Sequence, residues 1–223
     1  MQFRNRVAAG QALAAEVKRL DLAAPVVLGV ARGGVILAGE VARALAAPVD
    51  VLVPRKLPAP YSPEVAIGAV TEDGTMVLNQ PVAAAVGADE SYLATAQADA
   101  LAEIRRRAEA YRGGRPARDL AGRTAVIVDD GVATGFTLVA AARGVRAARP
   151  QRLVIAVPVG ASESIARLRG EADEIVCLVT PEPFYAVSQA YVDFDQVDDA
   201  SVMRILREHD PAQPASSPDP TAA

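Results

Sequence analysis

Two adjacent carboxylates, Asp129 and Asp130, stand directly after the apolar run Ala125-Val126-Ile127-Val128 and directly before Gly131-Val132-Ala133-Thr134-Gly135-Phe136-Thr137. Such a run reads as a central strand, and in an open α/β sheet ligands bind beyond the carboxyl ends of the strands. The small-residue loop from Ala133 to Thr137 can turn backbone N–H groups, with the Thr134 and Thr137 hydroxyls, toward one point at the start of a helix. That is an anion site made from amides and a helix dipole. The two aspartates before it suit sugar hydroxyls or a magnesium-bound diol. A plain turn followed by a helix cap uses the same residue types. The ordered combination of strand, two acids, three residues and TGxT is far more specific than any of its parts.

Two further constellations have the chemistry of anion contacts. The segment Ala31-Arg32-Gly33-Gly34 follows the run Val26-Val27-Leu28-Gly29-Val30. Its glycines let the backbone approach an anion, and Arg32 offers a forked donor. A tight strand-to-helix turn with a surface arginine is the alternative. Arg55 and Lys56 follow a second apolar run, Val49 to Val53, and read either as anion ligands or as a solvated basic pair. The chain contains no GxGxxG, GxxxxGK[ST] or GxSxG, which argues against a dinucleotide-binding dehydrogenase, a P-loop NTPase and a serine hydrolase. The sole histidine, His209, reads as solvated, and the sole cysteine, Cys177, as a buried structural thiol.

The elements that must position these groups follow from periodicity. Val7, Leu13, Val17 and Leu20 fall at helical spacing, predicting a covering helix over 6–20. The order strand, ARGG loop, alanine-rich helix, strand Val49–Val53 makes a βαβ unit and implies a parallel pair. From Arg55 to Gln80 a proline-containing arm leads into two apolar runs flanking Glu72-Asp73-Gly74-Thr75, a turn suited to a hairpin. A long helix spans 89–112 and stops at Gly113-Gly114. Strand and helix then alternate through TAVIV, LVIAV and EIVCLV. The expected fold is α/β, a five-stranded, mostly parallel sheet with helices on both faces, plus a flexible β-arm.

Composition bounds the function. The chain has 223 residues, 51% hydrophobic and 22% charged, which fits one domain of ordinary size. Residues 1–208 are expected to form it, and residues 209–223, poor in apolar side chains, a disordered tail. A net charge of −4 argues against nucleic acid as the main partner. One cysteine cannot form an internal disulfide, so a reducing, cytoplasmic compartment is expected. No signal peptide is expected at the N-terminus, and no run approaches the ~18 apolar residues of a membrane span.

The segment VIVDDGVATGFT resembles the phosphoribosyl pyrophosphate signature of type I phosphoribosyltransferases. The resemblance spans roughly residues 20–200 and implies the following roles. Asp129 and Asp130 contact the ribose hydroxyls and bind Mg2+. Ala133, Thr134, Gly135, Phe136 and Thr137 hold the 5′-phosphate, Phe136 replacing the small residue or lysine more usual there. Ala31, Arg32, Gly33 and Gly34 contact pyrophosphate, with Lys56 and Arg55 as further pyrophosphate ligands. Arg32, Lys56, Asp129 and Asp130 are then the catalytic set. Residues 180–199 resemble the C-terminal hood of purine-type members, which offers Phe184, with Tyr185 behind it, to stack on a base; core packing of Phe184 is the alternative. The lysine and the loop acid usual in 6-oxopurine enzymes are absent at Leu178–Thr180 and Ala133.

The implied activity is transfer of the 5-phosphoribosyl group of phosphoribosyl pyrophosphate to a small nitrogenous base with release of pyrophosphate. Two alternatives share the fold: a non-catalytic sensor of the sugar phosphate, and an RNA-binding attenuator. The second rests on Arg105, Arg106, Arg107, Arg112, Arg115 and Arg118, which a solvated helix face or a homodimer surface also explains.

Overall fold

The computed structural model describes residues 2–210. Its centre is a five-stranded parallel sheet ordered β2-β1-β6-β7-β8, with β1 Pro25–Val30, β2 Val49–Leu52, β6 Thr124–Val128, β7 Arg152–Val159 and β8 Glu174–Val179. The inner strands are apolar on both faces because helices cover both. The helices α1 (Arg6–Lys18), α2 (Gly33–Leu45) and α7 (Asp199–Glu208) close one face over Val27, Val126 and Val154. Helix α5 (Phe136–Ala147), with Ile165 and Leu168 of α6 (Ser162–Leu168), closes the other over Leu28, Ile127 and Ile155.

Register matters more to the site than strand count. Gly29 lies opposite Val128, and Val128 opposite Ala156. The loops that follow β1 and β6 therefore leave the sheet side by side, at its carboxyl edge.

A second, three-stranded antiparallel sheet joins β3 (Arg55–Ala59), β4 (Ser62–Val70) and β5 (Met76–Leu78). The expected hairpin lies between β4 and β5. Its turn is closed by Asp73, whose carboxylate accepts from both the Thr71 and Thr75 hydroxyls, and by Gly74 at φ 88°. A short helix, α3 (Gln80–Ala85), leads to the long α4 (Glu90–Arg112). Asp89 caps α4 at one end, and Gly113 ends it in the left-handed region at the other.

Several expectations need correction. Val7 is 40% exposed, and α1 instead buries the small residues Ala9, Gly10 and Ala14 beside Leu13 and Val17. Helix α7 was not anticipated. Asp198 caps it, and Val202, Ile205 and Leu206 are buried, each worth about 1.5–3 kcal/mol. Two residues beyond the expected boundary at 208 also pack against the domain. His209 is half-buried, its Nδ1 3.0 Å from the Ile205 carbonyl, and Asp210 is buried against Arg115 and Arg118. The rest of the expected tail, 211–223, lies outside the described residues.

The arginine-rich stretch is not a free basic face. Arg106 and Arg107 grip Glu103, whose carboxyl they hold down at about 2. Arg112 is buried between Asp50 and Glu72, and Arg115 and Arg118 meet Asp210; Arg105 is exposed.

Candidate active site

The loops after β1 and β6 form the floor of a cleft of about 370 Å³, and β3 of the second sheet brings in one wall. Ala31, Arg32 and Gly33 line it from the first loop, Asp129 and Asp130 from the end of β6, Lys56 from β3. The two floor loops touch. A Cβ on Gly33 would lie 2.0 Å from Asp130 Oδ2, and one on Gly34 2.5 Å from the Val128 carbonyl. Glycine is required here by contact between loops, not by a positive φ. Gly34 thus sits behind the cleft surface as packing for Asp129.

The loop from Ala133 to Thr137 is shaped from behind by α6. Ser164 Oγ donates to the Ala133 carbonyl and Arg167 Nη1 to the Thr134 carbonyl at 2.6 Å. A planar trans peptide points its N–H opposite to its carbonyl. Fixing these two carbonyls toward α6 therefore turns the N–H groups of Thr134 and Gly135 toward the cleft, which both residues line. Gly135, at φ 81°, is the N-cap of α5, so the loop empties onto a helix N-terminus. The Phe136 side chain leaves the cleft for the outer surface, where Arg167 lies 4.9 Å from its ring. A large residue is accommodated at this position because it does not line the cleft.

Asp129 and Asp130 are half-buried at the cleft floor. Burial, then the charge of Asp130, pushes the Asp129 carboxyl well above the ordinary carboxylate range; the Asp130 N–H, Arg6 and Lys56 pull partly back. Burial also raises Asp130, against the opposing hydrogen bond and charge of Arg6. Asp129 Oδ1 accepts from the Asp130 N–H at 2.8 Å.

Other expected residues lie elsewhere. Arg55 faces α4, 3.6 Å from Glu103, and borders a neighbouring groove that Lys56 shares. Phe184 is half-buried against the core, and Tyr185 is 83% exposed. The hood residue lining the cleft is Val187, in a short 3-10 turn over Val187–Ala190. Arg32 lies 3.7 Å from Asp199 at the start of α7, and Asp199 in turn accepts from the Tyr111 hydroxyl, whose pKa burial and that bond raise to about 12.

Sequence reading missed Arg6, Ser164, Arg167, Val187 and Tyr191. Each reaches the site across a large separation in the chain, 124 residues for Arg6 and Asp130, and none carries a local motif. Tyr191 donates its hydroxyl to the Asp130 carbonyl at 2.6 Å, and burial keeps the phenol protonated for that bond.

The model of the phosphoribosyl transferase domain matches residues 2–195, nearly the whole of the described chain. The chain belongs to that family. Two Mycobacterium tuberculosis proteins, MT0597 and Rv0571c, provisionally named as phosphoribosyl transferases, are each 48% identical to it over 204 residues. The match covers 92% of this chain and 46% of each relative, so the chain spans about half the length of the curated relatives. The crystal structure of TT1426 from Thermus thermophilus is 47% identical, with a TM-score of 0.80, and is covered over 99% of its length and 94% of this one. The α/β fold with five parallel strands is thus that of a phosphoribosyl transferase domain. Among its described residues no helix is long and apolar enough to cross a membrane.

Proposed function

We propose that this phosphoribosyl transferase domain transfers the 5-phosphoribosyl group of phosphoribosyl pyrophosphate to a small nitrogenous base, with release of pyrophosphate, in the cytoplasm. The observation carrying this reading is convergence: an amide-lined loop at a helix N-terminus, an acid pair and two cations border one cleft. The 5′-phosphate fits the loop of Ala133–Thr137, where backbone donors and the helix dipole favour an anion. The ribose hydroxyls fit the carboxylates at Asp129 and Asp130. Pyrophosphate fits between Ala31–Gly33 and Lys56.

Cleavage at the anomeric carbon leaves positive character on the sugar and negative charge on the departing pyrophosphate. Arg32 and Lys56 offset the second, and the carboxylates lie beside the first. Holding both ends of the donor orients the anomeric carbon toward an incoming base, so the domain needs no nucleophile of its own. Mg2+ binds through one or two carboxylates plus substrate phosphates. Among the described residues no group of three or more His, Cys, Asp and Glu side chains is placed to hold a metal ion. Asp129 and Asp130 would hold Mg2+, and when bound it would neutralise pyrophosphate charge.

The enzyme reading is favoured over an RNA-binding attenuator by the arginine stretch, most of which is spent on internal carboxylates. The test is pyrophosphate release from phosphoribosyl pyrophosphate and magnesium across a panel of purine and pyrimidine bases. Release with one class of base is expected; binding of the donor without release from any base would mark a sensor, and calorimetry showing no binding at all would overturn the reading.

A further inference from the structure

Asp130 is held from outside the cleft. Arg6, the first residue of α1, places Nε 2.8 Å from Asp130 Oδ2, and its side chain is 12% exposed. The same guanidinium donates through Nη1 to the Asp195 carbonyl at 2.6 Å and lies 3.8 Å from the centre of the Phe194 ring. Both belong to the hood. Tyr191, also in the hood, holds the Asp130 carbonyl and packs its ring between Phe3 and Phe194. The N-terminal segment and the hood therefore form a brace around one of the two acids. Asp129 has no such hydrogen-bonded partner in the brace; its carboxylate accepts from its own neighbour's N–H.

We propose that Arg6 is a positioning residue that acts through Asp130, and that the adjacent acids are not equivalent. Both carboxylates meet the sugar hydroxyls or their magnesium, but only Asp130, tied to Arg6, also fixes the distance between the cleft floor and the hood. Arg6 does not line the cleft, so its effect reaches the donor through the carboxylate that it holds. A guanidinium is suited to this because one planar fork spans a carboxylate and a carbonyl at once, which a lysine ammonium on a flexible stem does less well. The inference rests on the reading of the cleft as a phosphoribosyl pyrophosphate site.

The experiment is a double-mutant cycle with phosphoribosyl pyrophosphate and magnesium as the probe, read by calorimetric affinity and by KM against kcat, with melting curves as the fold control. Arg6→Gln is expected to weaken donor affinity about tenfold or more, the scale of one lost charge-assisted hydrogen bond, with the larger change in KM. Arg6→Lys is expected to recover part of that loss. In an Asp130→Asn background neither Arg6 variant is expected to add more than about twofold. Parent-like affinity in Arg6→Gln, or losses that multiply in the double variant, would overturn the proposal while leaving the cleft reading intact. If Arg6→Gln does not fold, the cycle with Arg6→Lys decides on the same criteria. A parent protein that binds no donor overturns the cleft reading and this inference with it.

Discussion

Arg112, the last residue of α4, meets Asp50 of β2 at 2.9 Å, with the two side chains 7% and 8% exposed. The pair is fully surrounded by further donors and acceptors. Arg112 donates to both oxygens of Glu72, in the turn of the second sheet, and to the Val51 carbonyl, while Asp50 accepts from the backbone N–H groups of Val51 and Arg118. One guanidinium thus fastens the long helix, the edge of the main sheet and the sheet that carries Lys56.

Arg112→Met would leave Asp50 in that interior without its ionic partner. Breaking a buried pair from one side costs about 3–5 kcal/mol. Urea unfolding is expected to show a loss of that size without a large change in slope; a loss below about 1 kcal/mol would show that the joint is dispensable.

Arg167→Ala tests the shaping of the Ala133–Thr137 loop from behind. The variant removes the hydrogen bond to the Thr134 carbonyl and the contact with Phe136. Because the side chain is 36% exposed, the expected loss is modest, about three- to tenfold in affinity for phosphoribosyl pyrophosphate, with little change in melting temperature. Unchanged affinity would mean that the loop holds its shape without α6.

Asp129→Asn separates function from stability. Folding raises this carboxyl above its ordinary 3.8, so between the unfolded and folded pKa the native state binds more protons and stability falls as pH rises. The asparagine removes that cost while keeping an oxygen for the Asp130 N–H. The unliganded variant is expected to melt higher than the parent at pH 7, with the difference shrinking toward pH 4, and to lose donor binding. A variant that melts lower at pH 7 would show that the ionised carboxylate stabilises the fold.

Truncation tests where the domain ends. A chain ending at Asp210 is expected to melt like the full chain. One ending at Glu208 loses the ion pairs of Asp210 with Arg115 and Arg118 and the His209 contact with Ile205. About 1–3 kcal/mol is expected to go with them, roughly 2–12 °C in melting temperature for a domain of this size. Equal melting of the two chains would return the boundary to 208.

The parts legible in the sequence were those whose cause is local. The strand before Asp129, the turn at Asp73-Gly74 and the long helix from Asp89 to Gly113 each carry their own stop and start residues. That the acid pair and the loop to Thr137 border one cleft was legible because both follow a single strand in consecutive residues. Arg55, Phe136 and Phe184 carried the right chemistry, but side-chain direction depends on packing partners far along the chain: Glu103 takes Arg55, Arg167 takes Phe136, and the core takes Phe184. Arg6 and Tyr191 were illegible for the same reason, since their partner is Asp130. Helix α7 was hidden by its charge; four acidic or basic residues surround only three buried apolar ones.

The backbone bridge between Phe3 and Tyr191 also sets an order of events during synthesis. Phe3 donates to the Ala190 carbonyl and accepts from the Val192 N–H, and Asp193 donates to the Arg4 carbonyl. The segment at Phe3 therefore waits until the segment at Tyr191 has been made. At about 5–20 residues per second that interval is roughly 10–40 s. Throughout it the acid-bearing loop is present without its brace, so a nascent or prematurely ended chain carries the motif but not the finished site.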